Sequence, residues 1–87
     1  MPSTTVTVGS AVGLHARPAT IIAKAAMALD SDVTLAVDGG EGPVDAGSSL
    51  MIMTLGAEKG ATVIVEGSDQ AAVDQIAALV AQDLDAE

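Results

Sequence analysis

One position in the 87-residue chain stands apart for its chemistry. His15 is the only histidine, and it lies in the stretch GLHARPAT at 13–20. Arg17, one of only three basic residues, follows two places later, with Pro18 directly after it. From Pro18 the sequence turns helical, with Ala19, Ile22, Ala23, Ala26 and Leu29 recurring at i, i+3, i+4 and i+7. Pro18 suits a first helical turn, where its missing N–H belongs to the set that has no partner inside the helix. The leading N–H groups and the helix dipole together stabilise an anion, phosphate above all. Arg17 can pair with a phosphoryl group, and the backbone N–H groups of Ala16 and Arg17 add donors. The same surroundings disfavour a protonated imidazole. A neutral ring nitrogen has the lone pair that attack on phosphorus needs, so His15 reads as a nucleophile that forms a phosphoramidate. A histidine ahead of a helix also reads as a cap or a plain surface residue, and spacing leaves both open. A catalytic triad has no strained serine elbow or acid partner to build on. A metal site finds one histidine and no cysteine.

Composition narrows the function classes. Twelve acidic residues against Arg17, Lys24 and Lys59 give a formal charge of −9, which repels nucleic acid and anionic membranes and favours basic or mixed-charge partners. There are no aromatics, hence no platforms for stacking bases. The absence of cysteine excludes disulfides and a thiol nucleophile and suits a reducing cytoplasm. Residues 1–12 show no signal-peptide pattern, and no window approaches the roughly 18 apolar residues of a membrane span. The expectation is a single cytoplasmic domain over 1–87, with a core of Val, Ile, Leu, Met and Ala. Arg17 and Lys24 stand seven residues apart, two helical turns, so they share one face with Thr20 and Ile21 between them.

The elements that must position this stretch follow from periodicity. TTVTV at 4–8 alternates as a half-buried strand does, and Val33, Leu35 and Val37 alternate again. The GGEGP loop after them lacks the trailing Lys and Ser/Thr of a P-loop and reads as a hairpin turn leading to a short strand near Val44. SSLMIMTL at 48–55 fits a short helix or a buried strand, stopped by Gly56. Gly60 then opens a strand at 61–66, with Val63 and Val65 inward. Asp69 supplies an N-cap for a last helix, striped by Val73, Ile76, Ala77, Val80 and Leu84. The order β-α-β-β-α-β-α, with every helix burying one stripe, predicts an α+β two-layer open-faced sandwich.

Two segments carry a family resemblance. GLHARPA at 13–19 is similar to the active-site signature of HPr, the histidine-containing phosphocarrier family of the bacterial phosphotransferase system. SLMIMTLGAEKG at 49–60 resembles the second signature of that family, and the element order agrees along the whole chain. The acidic charge resembles high-GC Gram-positive members. The resemblance implies a four-stranded antiparallel sheet with three helices on one face. It implies that His15 accepts phosphate on Nδ1 from phospho-enzyme I and donates it to enzyme IIA domains, that Arg17 stabilises the phosphorylated state, and that no cofactor or metal takes part. The protein would be a carrier rather than an enzyme, monomeric, and not inserted in a membrane.

The family's docking surface, carried onto this chain, comprises Thr20, Ile21, Lys24, Met27, Leu50 and Met51, with Met53 a further candidate. Ile52 and Leu55 are expected to face inward. A regulatory phosphoserine of some members aligns with Ser48. Here Gly47 replaces a basic residue before it, Ser49 lies beside it, and the 38–43 hairpin is about two residues longer than in many relatives. Ser48 therefore reads either as an N-cap or as a phosphate acceptor. The second reading belongs to a regulatory binding module, in which Ser48 or the Leu50–Met51 patch governs a serine kinase, phosphatase or transcription regulator. A specialised nitrogen-related or fructose-specific paralogue is a third.

Overall fold

Alternating β-branched residues pair, and the apolar stripes of the helices cover the face they share. The computed structural model describes residues 2–9, 13–14, 16–29, 31–40 and 42–82. Along the chain come β1 (Ser3–Thr7), α1 (Ala16–Met27), β2 (Val33–Val37), β3 (Val44–Asp45), α2 (Ser49–Thr54), β4 (Thr62–Gly67) and α3 (Gln70–Ala81). The strands form one sheet in the order β1-β4-β2-β3 with every pairing antiparallel. Thr5 faces Ile64 across one seam, and Ala36 faces Ile64 across the other. Along β4 alternate residues are buried, so Val63 and Val65 point into the core with Val33 and Leu35 of β2. Ile22 from α1, Ile52 from α2, and Val73, Ile76 and Val80 from α3 close over them as the helical layer.

The α+β sandwich expected from the element order is the observed architecture, with one correction in detail, at Leu55. Helix α1 begins at Ala16, two residues before Pro18. Proline is accommodated at the third helical position because its ring faces no carbonyl of a preceding turn there, and Pro18 is fully buried. The ambiguous stretch SLMIMT is a helix. The Met51 N–H donates to Ser48 Oγ at 3.3 Å at its start, and Gly56 ends it in the left-handed region at φ +65. Leu55 is half-buried at the margin of the core instead of inside it, as it caps a helix of only six residues. The Asp69 cap of α3 forms as expected, Oδ2 accepting from the Ala72 N–H at 3.2 Å. Leu84 lies outside the described residues.

Candidate functional site

His15 itself lies outside the described residues; its surroundings in the chain do not. Leu14 before it is buried to 1% exposure, and Pro18 after it is fully buried, so two apolar anchors bracket the histidine in sequence. The Leu14 N–H donates to the Ala57 carbonyl at 2.9 Å, fastening this segment to the stretch that links α2 to β4. Gly13 precedes it at φ +73, a conformation that L side chains rarely adopt. A Cβ there would strike the Ala57 carbonyl and stand 2.9 Å from the Glu58 Cα. Two backbones therefore meet where only glycine fits, and α1 can start at the very next residue after His15.

At the start of α1 the positive end of the helix dipole and a basic side chain fall together. Its first turn contains no acidic residue, and it carries Arg17, whose side chain is exposed. Ala16 and Arg17 open the helix, so their N–H groups belong to the set that no intrahelical carbonyl receives, while Pro18 contributes none. Among the described residues no group of three or more His, Cys, Asp or Glu could hold a metal ion.

Beyond this end, α1 turns Thr20, Lys24 and Met27 outward, with Ile21 half-buried beside them. Their opposite face, Ala19, Ile22, Ala23 and Ala26, is core. Helix α2 packs against α1 and adds Leu50 and Met51, so Met27 (72% exposed), Leu50 (68%) and Met51 (43%) are the large apolar residues left in solvent among the described residues. Such a patch beside cationic side chains has the make-up of a docking surface. Met53 is half-buried and packs against the core, which removes it from the outward candidates.

Ser48 sits half-buried at the head of α2, its hydroxyl engaged as a cap. Asp45 lies just ahead, its Oδ1 accepting from the Gly47 N–H at 2.9 Å. A Cβ on Gly47 would stand 3.3 Å from Asp45 Oδ1 and 3.5 Å from Met27 Cγ, so this glycine lies between a carboxylate and the apolar patch. A surface depression of about 290 Å³ lies here, lined by Met27, Asp32, Asp45 and Gly47, and another of about 340 Å³ is lined by Val37, Val44 and Leu55. Among the described residues, neither includes one of the α1 start. Sequence reasoning missed the part played by residues 57–60, because their closeness to the 13–14 segment is made by the fold.

Comparison with known proteins agrees with this geometry. The family described as "PTS HPr component phosphorylation site" matches residues 2–82. A phosphocarrier protein HPr of Streptomyces coelicolor is 44% identical over 84 residues, covering 92% of this chain and 88% of its own. The solved HPr-C-His of Thermoanaerobacter tengcongensis superposes with a TM-score of 0.86 at 27% identity, over 100% of this chain and 99% of that one. The solved phosphocarrier protein HPr of Bacillus anthracis gives a TM-score of 0.82 at 28% identity, over 91% of this chain and 95% of its own. No helix among the described residues is long and apolar enough to cross a membrane.

Proposed function

The chain belongs to the HPr family of phosphotransferase-system phosphocarriers, which relay a phosphoryl group and are not enzymes, and on that premise we propose that His15 is the phosphoryl acceptor. Its Nδ1 attacks the phosphorus held on phospho-enzyme I. The N–P bond to His15 forms as the bond to the donor breaks, and the reverse exchange delivers the group to an enzyme IIA domain. Arg17 and the backbone N–H groups of Ala16 and Arg17 receive the charge of the phosphate. The whole chain works as one domain in the cytoplasm, and Thr20, Ile21, Lys24, Met27, Leu50 and Met51 form the surface its partners use in turn.

The observation that carries this reading is the start of α1 immediately after the only histidine, with Leu14 and Pro18 buried on either side and no acidic residue in the first turn. A nucleophile on so anchored a segment is held in register with the anion-binding donors. Incubation with phosphoenolpyruvate and enzyme I should add one phosphoryl group, stable in base and labile in acid, seen by mass spectrometry. His15→Ala should abolish it; labelling that survives this substitution overturns the assignment.

Regulation through Ser48 is the second reading, and the geometry favours its cap role. A phosphate there would place up to two further negative charges near the Asp45 carboxylate. ATP-dependent, acid-stable labelling lost in Ser48→Ala would establish the switch, and no such labelling in a cell lysate would leave Ser48 a cap.

A further inference from the structure

We propose that Met27 and Met51 form a redox-modifiable site: peroxide converts their thioethers to sulfoxides, and the docking surface binds partners weakly until the sulfoxides are reduced. The inference rests on the docking surface proposed above and names a regulation of it. The chain contains no cysteine, tryptophan or tyrosine, so its four methionines are the side chains that mild peroxide oxidises. Two of them stand in solvent, Met27 at 72% exposure on the last residue of α1 and Met51 at 43% on α2. Met53, two residues further along α2, is half-buried against the core. Met1 lies outside the described residues. Helices α1 and α2 pack together, and the Met27 side chain reaches toward the head of α2, its Cγ lying 3.5 Å from where a Cβ on Gly47 would stand. Both exposed thioethers therefore belong to the patch that Leu50 completes.

Hydrogen peroxide is uncharged, so the −9 charge of the chain does not repel it. A sulfur lone pair attacks one peroxide oxygen, and the S–O bond forms as the O–O bond breaks. The proton on the transferred oxygen passes to the departing hydroxide, which leaves as water; sulfur gives up two electrons and peroxide takes them. The product is polar and chiral where a flexible apolar chain stood. Seating it against an apolar partner surface buries a dipole that has no matched hydrogen bond, which weakens binding. The reaction leaves His15 intact, so transfer within a formed complex keeps its rate.

The test treats the whole chain with dilute hydrogen peroxide and a metal chelator, locates the added oxygen by peptide mass spectrometry, and follows phosphoryl transfer from enzyme I over a range of carrier concentrations. Met27 and Met51 should each gain one oxygen before Met53 does. KM for the carrier should then rise roughly tenfold with kcat unchanged. Methionine sulfoxide reductases acting on both epimers should restore it. In Met27→Leu/Met51→Leu, whatever its own starting KM, peroxide should change nothing further, while Met53→Leu should respond as the wild-type chain does. Faster oxidation of Met53 overturns the proposal, as does an unchanged KM in the doubly oxidised chain, a fall in kcat in its place, or a peroxide effect that persists in the double leucine variant. Untreated Leu50→Ala separates these results from failure of the docking surface. A raised KM there beside an indifferent sulfoxide sinks the redox site alone, whereas a wild-type KM removes the surface on which it rests.

Discussion

Helices α1 and α3 have the same length of 12 residues and bury similar apolar stripes, yet the residues at their N-termini differ in charge. Asp69 closes α3 with its own carboxylate, accepting the Ala72 N–H and meeting the positive end of the dipole. The residue ahead of α1 is an imidazole, and the first turn adds a guanidinium with no acid near it in sequence. On the proposed reading, the contrast separates a helix terminus that completes itself from one that receives an anion supplied by another molecule. Helix α2 sides with α3, since Ser48 caps it.

The comparison is broken most severely at its anchor. Leu14→Ala should lower unfolding free energy by about 3 kcal/mol in denaturant titration, because a fully buried leucine leaves a cavity. It should slow phosphate acceptance as well; unchanged acceptance would mean that the segment needs no anchor. Arg17→Ala should reduce transfer about tenfold, equivalent to about 1.4 kcal/mol, with the circular dichroism spectrum intact. An unfolded variant would make Arg17 structural. Asp69→Ala should cost about 1 kcal/mol of stability and leave transfer untouched, which sharpens the division between the two helix starts. Ser48→Ala should cost somewhat less, about 0.5 kcal/mol, since α2 has only six residues to lose. A transfer defect in either cap variant would dissolve the contrast.

Much of this was legible in the chain because it rests on local patterns. The strands at β1, β2 and β4, the stripe of α1 and the Asp69 cap follow from periods of 2 and 3.6 and from side-chain chemistry. SSLMIMTL was ambiguous because six helical residues contain too few turns for a period to declare itself; Ser48 and Gly56 decide it through backbone geometry. The start of α1 is legible too, since Pro18 marks a first helical turn and sits third in the helix. Residues 57–60 were silent for another reason: Leu14 and Ala57 are distant in sequence, and the bond between them exists only once β1 and β4 have paired.

The central claim is that Nδ1 of His15 carries the phosphoryl group. Nuclear magnetic resonance of the chain labelled with ¹⁵N in its single histidine, recorded after enzyme I and phosphoenolpyruvate are added, tests it most directly. The account predicts a phosphorus coupling to Nδ1 that decays on transfer to an enzyme IIA domain. Coupling to Nε2, or an unchanged imidazole beside a phosphorylated chain, would contradict it.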